Sequence, residues 1–133
     1  MKTYLWKCDK DKQNKTNLTL YLDFLKQNYK INLGVDYNKI WKWSVDNRNT
    51  FWKSIWEFTK VKGTLGNILF KKSKVFHKNK FFPEAKLNYA ENILVKKDAK
   101  PSIIFKSENG YKSTLSWRKL NSNVAKISKW MKT

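Results

Sequence analysis

Apolar residues recur at three- and four-residue intervals between positions 16 and 60, a spacing typical of amphipathic helices. The first stripe follows Thr16 and Asn17, either of which could cap a helix. We predict a helix that begins there and ends at Asn32-Leu33-Gly34, because Gly tolerates the left-handed conformation that ends many helices. Its apolar face would comprise Leu18, Tyr21, Leu22, Leu25 and Tyr29.

The residues before this helix, 1–15, are mostly charged or polar, with Tyr4, Leu5 and Trp6 as the one apolar run. We expect them to lie along another surface rather than to fold alone.

Two further helices are predicted before residue 60. One begins at Asp36, and its apolar face would comprise Tyr37, Ile40, Trp41, Ser44 and Val45. A polar turn over residues 46–49 follows, and Asn49 or Thr50 could cap the next helix. That helix carries one stripe of Phe51, Trp52, Ile55, Trp56 and Thr59, and we interpret its tryptophans as packing residues.

The middle of the chain has a weaker pattern. Residues 60–80 are predicted to be irregular, and the run from Gly63 to Gly66 lacks the Gly-Lys-Ser/Thr ending of a phosphate-binding loop. Residues 81–94 predict a short loop followed by one or two helical turns. The side chains expected to face inward there are Leu87, Ala90, Ile93 and Leu94.

The last third changes period and predicts a β-hairpin and a helix. Residues 102–105 are β-branched and aromatic, Asn109-Gly110 is a two-residue hairpin signal, and residues 111–115 would form the returning strand. Ser116 could cap a final helix whose apolar face would be Leu120, Val124, Ile127 and Met131. Because that face is still periodic near Thr133, we expect the chain to be truncated.

The net charge of +19 raises the alternative of a small nucleic-acid-binding module. Only Arg48 and Arg118 among the 29 basic residues are Arg, the side chain best suited to phosphate and guanine contacts. Lysines are spread along the whole chain beside many Asn and Ile, as an AT-rich coding sequence would produce. A missing acidic partner domain is a further explanation of the charge. We therefore expect no specific nucleic-acid partner.

Few residues could carry chemistry. Cys8 is the single cysteine and His77 the single histidine, so neither a disulfide nor a thiolate metal cage can form within the chain. No apolar run reaches the roughly 20 residues needed to cross a bilayer. We expect a cytoplasmic chain with no membrane partner that does not catalyse a reaction by itself.

Motifs along nearly the whole chain resemble the acetoacetyl-coenzyme A synthetase family, in the acyl-coenzyme A synthetase branch of the adenylate-forming enzymes. The most specific stretch covers residues 81–94, and within it residues 88–94 are similar to the acetoacetyl-specific version. The motifs are Leu5-Trp6, Trp41-Lys42-Trp43-Ser44-Val45, Phe51-Trp52, Trp56-Glu57-Phe58, Phe81-Phe82-Pro83-Glu84-Ala85-Lys86-Leu87-Asn88-Tyr89-Ala90-Glu91-Asn92-Ile93-Leu94, and Glu108 with Leu115-Ser116-Trp117 and Leu120.

Three residues depart from the family pattern. Cys8 stands where Pro is expected, Glu84 where Gly is usual, and Lys119 where an acidic residue normally completes a capping box.

The resemblance implies an α+β fold, in which an N-terminal α-helical segment (1–100) precedes a β-hairpin and helix (101–133) that begin the α/β large domain. It implies a full-length enzyme that uses ATP, Mg²⁺ and coenzyme A to convert acetoacetate into its thioester through an acyl-adenylate. The partners implied are the missing large and C-terminal domains of that enzyme. No catalytic, cofactor-binding or metal-binding residue is assigned to this chain, and Asn88 and Asn92 are expected to bond to backbone groups.

Overall fold

The computed structural model describes residues 8–132, so the predicted contacts of Tyr4, Leu5 and Trp6 lie outside the described residues. The chain forms two compact units. The first contains residues 8–61 and 65–85, and the second contains residues 62–64 and 86–132.

Helix α1 (Lys10–Asn14) begins at Asp9, whose carboxylate accepts a 2.7 Å hydrogen bond from the Lys12 amide. The expectation that residues 1–15 lie along a surface without folding is therefore wrong for this segment. A short polar sequence can form one helical turn when a cap satisfies its first amides.

Helix α2 (Asn17–Phe24) is capped by Thr16, as predicted. It continues as a π-helical turn over Leu25–Tyr29 and ends at Lys30, which has φ 59°. The predicted end at Gly34 is wrong, because the wider turn closes earlier with a bond from the Ile31 amide to the Leu25 carbonyl.

Helix α3 (Tyr37–Asp46) begins at Asp36, as predicted, and the Asp36 carboxylate accepts bonds from two amides of the first turn. Helix α4 (Arg48–Phe58) begins earlier than the predicted cap at Asn49 or Thr50. Asn47 is its N-cap residue, but the Asn47 side chain instead donates to the Trp43 carbonyl at 3.2 Å. A single residue thus separates the two helices.

The first unit is built around a small core formed by Tyr21, Leu25 and Ile40, together with Ser54, which is completely buried. The Tyr21 hydroxyl lies 2.6 Å from the Ser54 hydroxyl, which donates to the Phe51 carbonyl at 2.7 Å. The apolar stripe predicted for α4 does not include Ser54. A polar residue is buried only where a hydrogen-bond partner is available, and the helical period of the sequence does not show such a partner.

The prediction that residues 60–80 are irregular is wrong in part, because two short strand pairs involve this segment. In the first unit β2 (Phe70–Lys71) pairs antiparallel with β3 (Lys80–Phe81), and a 3₁₀ turn (Phe76–Lys78) lies in the loop between them. In the second unit β1 (Gly63–Thr64) pairs antiparallel with β4 (Lys86–Leu87). Strands of two residues carry too little pattern to be read from the sequence.

The second unit also contains α5 (Tyr89–Ile93) and a hairpin of β5 (Pro101–Lys106) and β6 (Lys112–Ser116). The predicted two-residue turn is wrong, since five residues separate the strands. Gly110 has φ 86°, whereas Asn109 does not adopt a positive φ. The Asn109 side chain instead accepts a bond from the Tyr111 amide, and this contact closes the longer loop.

Helix α6 (Trp117–Trp130) follows β6 directly and is capped by Ser116, as predicted. With its helices and small antiparallel sheets the chain has an α+β fold, as predicted from the sequence.

Candidate interaction surfaces

Helix α3 presents an exposed apolar stripe. Tyr37, Trp41 and Val45 recur every fourth residue and keep 70%, 58% and 46% of their surface exposed. Three of the residues predicted to form the apolar face of this helix are therefore exposed within the described part of the chain. The buried residue of this helix is Ile40, which faces the core beside the stripe.

The hairpin exposes apolar side chains on both of its faces. Ile103 and Phe105 lie on one face of β5 and Ile104 on the other, and each is at least half exposed. A two-stranded hairpin is marginal in water because it can bury neither face alone. These side chains are suited to packing against further strands or helices.

Helix α6 is partly covered. Leu120 and Val124 of its predicted apolar face are half-buried, whereas Ile127 and Met131 are 58% and 69% exposed. The predicted apolar face is therefore partly covered along the first half of the helix and uncovered by the described residues along the second half.

The apolar side chains around α5 are also mostly exposed. Of the four side chains expected to face inward, Leu94 is half-buried, while Leu87, Ala90 and Ile93 are exposed. The prediction that these side chains face inward is therefore wrong for three of the four, because nothing in the described residues covers them.

These exposed faces of the second unit stand on a well-bonded frame. The Trp117 and Arg118 amides donate to the carbonyls of Lys100 and Asp98 at 3.1 and 2.9 Å. The Asn121 side chain donates to the Lys96 carbonyl at 2.9 Å. The start of α6 is thereby fixed to the segment that precedes the hairpin.

Asn88 and Asn92 bond to backbone groups, as predicted, although neither is buried. Asn88 accepts a bond from the Glu91 amide and caps α5. Asn92 donates to the Lys62 carbonyl and accepts from the Lys62 amide, each at 2.8 Å. Its amide thus fastens α5 to the start of β1.

Two of the three residues that depart from the family pattern take part in hydrogen bonds. The Glu84 carboxylate accepts bonds from the Asn67 and Ile68 amides at 2.8 and 3.4 Å. Lys119 still donates its backbone amide to Ser116. Cys8, the third, is a half-buried free thiol.

Three tryptophans of the first unit pack against other rings, which supports the interpretation of the two in α4 as packing residues, whereas Trp41 stays exposed. Trp43 contacts Phe51, Trp52 contacts Phe81 and Trp56 contacts Phe82, with centroid separations of 6.1, 5.4 and 5.4 Å. Rings engaged in this way are poor platforms for stacking the successive bases of a nucleic acid.

Within positions 8–132, no three His, Cys, Asp or Glu residues come close enough to hold a metal ion. The Tyr29 hydroxyl donates to Glu57 at 2.6 Å, and burial together with this bond raises the pKa of Tyr29. No helix in this part of the chain is long and apolar enough to cross a membrane.

No protein-family model matches the chain. It is 30% identical over 123 residues to an acetoacetyl-coenzyme A synthetase of Rhizobium meliloti, covering 92% of this chain and 19% of that protein. It is 27% identical over 90 residues to an acetoacetyl-CoA synthetase of Danio rerio, covering 66% and 13%. The chain thus spans less than a fifth of the length of these curated relatives.

A solved structure, an acetoacetyl-CoA synthetase from Streptomyces lividans, has the same fold over 96% of this chain and 20% of its own. The TM-score is 0.78 at 23% identity. These matches confirm the recognition made from the motifs and are consistent with the N-terminal part of such an enzyme.

Proposed function

We propose, from the premise that this chain is related over most of its length to acetoacetyl-CoA synthetases, that it is a structural part of an acetoacetate–CoA ligase. The observation that carries the proposal is that a relative of which the chain spans only 19% covers 92% of this chain. The chain would not be active alone, because it would depend on the remaining domains for catalysis.

The reaction of the whole enzyme would have two steps. The carboxylate of acetoacetate would attack the α-phosphate of ATP, giving acetoacetyl-adenylate and releasing pyrophosphate. The thiol of coenzyme A would then attack the acyl carbon, forming the thioester and releasing AMP. Mg²⁺ and the phosphate-positioning groups would belong to the rest of the enzyme, which would act in the cytoplasm in lipid and ketone-body metabolism.

The role of this chain would be to cover apolar surface on its partner domains. The exposed stripe of α3, both faces of β5 and the second half of α6 supply apolar area with no cover in the described residues. Exposed apolar faces of this kind are typical of interfaces. The partner would be the large and C-terminal domains of the same enzyme, in one polypeptide or as a separate subunit.

Two measurements test this role. The 133-residue chain should release no AMP from ATP, acetoacetate and coenzyme A, and turnover by the chain alone would refute the proposal. The chain should also bind and activate a Streptomyces lividans enzyme from which the matching segment has been removed. Failure of the chain both to bind and to activate that core would contradict the structural role.

The α3 stripe offers a matched pair of variants. Trp41→Ala removes a large exposed ring and should weaken binding to the truncated enzyme by about tenfold or more, the loss expected for an interface anchor. Lys39→Ala, on the same helix and also exposed, should change binding by less than about twofold. Equal effects of the two substitutions would exclude α3 from the interface.

A further inference from the structure

A cleft in the first unit combines an aromatic floor with a cationic rim. Its volume is about 570 Å³, within the range of small-molecule sites. Three phenylalanines and three basic side chains account for most of its wall, namely Phe70, Phe76, Phe81, Arg48, Lys72 and His77. Neither the candidate interaction surfaces nor the proposed ligase role uses this cleft.

The floor of the cleft is fixed by ring packing. Phe70 and Phe81 lie on paired strands with centroids 4.9 Å apart, and Trp52 packs against Phe81 at 5.4 Å. The guanidinium carbon of Arg48 lies 4.8 Å from the centre of the Phe70 ring. This stacking restrains the Arg48 side chain while its N–H groups remain available at the rim.

The loop between β2 and β3 holds the opposite wall. The Ser73 amide donates to the Asn79 side chain at 2.8 Å, and the Lys78 amide donates to the Val75 carbonyl at 3.0 Å. Phe76 is nevertheless 89% exposed, although it lies in this bonded turn. A ring that is both exposed and anchored can stack on a planar ligand at a small entropic cost.

The charge of the cleft favours an anion. No Asp or Glu occurs between positions 58 and 83, a stretch that contains most of the lining. Within residues 8–132 neither Arg48 nor Lys72 takes part in an ion pair, the pairs being Lys12–Asp9, Lys42–Asp46 and Lys53–Glu57. Two cations without a carboxylate partner supply the donors that a phosphate requires.

We propose that this cleft binds a phosphorylated aromatic ligand of mononucleotide size. Arg48 and Lys72 hold the phosphate, and Phe76 stacks on the aromatic ring. A small nucleotide fits better than a polymer because the aromatic wall is confined to one cleft rather than repeated along a groove.

The single histidine of the chain provides a direct probe, because His77 lines the cleft and its imidazole proton signals in NMR spectra are unique. The full 133-residue chain is titrated with adenosine 5′-monophosphate, adenosine or inorganic phosphate at constant ionic strength. The nucleotide should shift the His77 signals saturably and bind about tenfold or more tightly than either half alone. Absence of saturation up to about 10 mM nucleotide would refute the proposal.

Neighbouring lysines give a matched control for the phosphate. Lys72→Gln and Arg48→Gln should each weaken nucleotide binding by about tenfold, as expected for loss of a charge-assisted contact. Lys71→Gln removes the same charge one residue away, outside the lining, and should change binding by less than about twofold. Equal losses from Lys71→Gln and Lys72→Gln would show diffuse electrostatic attraction and overturn the site.

Phe76 tests the contribution of the ring. Because its side chain is 89% exposed, Phe76→Ala should leave the fold unchanged yet weaken nucleotide binding by about fivefold or more. Inorganic phosphate should bind this variant as before. If an oligothymidylate shifts His77 at far lower concentrations than the mononucleotide does, a polymer site replaces the one proposed here.

Discussion

The buried pair of Tyr21 and Ser54 allows a sharp test of how the first unit is held together. Their hydroxyl oxygens are 2.6 Å apart, and Ser54 also donates to the Phe51 carbonyl at 2.7 Å. Because the Ser54 proton is used for that carbonyl, the Tyr21 hydroxyl is the donor between the two side chains. Burial raises the pKa of Tyr21, which keeps this proton in place.

Removing either partner should have unequal effects. Ser54→Ala leaves the Tyr21 hydroxyl buried without an acceptor, which costs about 1–3 kcal/mol of unfolding free energy. Tyr21→Phe leaves Ser54 bonded to the Phe51 carbonyl, so the loss should be nearer to about 1 kcal/mol. In the Tyr21→Phe background, Ser54→Ala orphans no hydroxyl and replaces Ser with a better helix former. There its effect should be about zero.

Urea unfolding of the four proteins, followed by tryptophan fluorescence, measures this thermodynamic cycle. The expected result is a large loss on Ser54→Ala in the parent chain and almost none in the Tyr21→Phe chain. An equal loss in both backgrounds would refute the reasoning, because it would show that the serine contributes through packing and not through the bond to Tyr21.

Three further outcomes are expected. Asn92→Ala removes both hydrogen bonds to Lys62 and should destabilise the second unit by about 1–3 kcal/mol. Hydrogen exchange at the Lys62 amide should then be faster, and an unchanged exchange rate would contradict this prediction. Because the pKa of Tyr29 is raised in the folded chain, its contribution to stability is full below about pH 10 and is lost as the pH rises further. Tyr29→Phe should therefore reduce the fall in the urea midpoint between about pH 9 and 11. Parallel profiles for the variant and the parent chain would exclude this role of Tyr29. The isolated chain should be only marginally stable, with a urea midpoint below about 3 M, because few side chains are fully buried; a midpoint above about 5 M would disprove this.

Parts of the candidate surfaces could be anticipated from the sequence and parts could not. The period of α3 and α6 identified their apolar residues, since amphipathic spacing is visible in one chain. It could not show that Trp41 and Ile127 stay exposed, because exposure depends on what lies opposite each face. No pattern in the sequence predicts the cleft beside Arg48. Its lining residues are brought together by two paired strands that are only two residues long each.

The sequence by itself determined where three of the main helices begin, although it did not determine the start of α4. Thr16, Asp36 and Ser116 cap α2, α3 and α6 as their positions predict, because an N-cap bond spans only two or three residues and needs no distant partner.

The tertiary structure alone decided which side of each helix is covered and which polar residue enters the core. Ser54 is buried because Tyr21, 33 residues away in the chain, brings it a hydrogen-bond partner. Tyr37 and Val45 remain exposed because no described residue covers them. Burial is a property of two surfaces that meet, and the periodicity of one helix describes only the first of them.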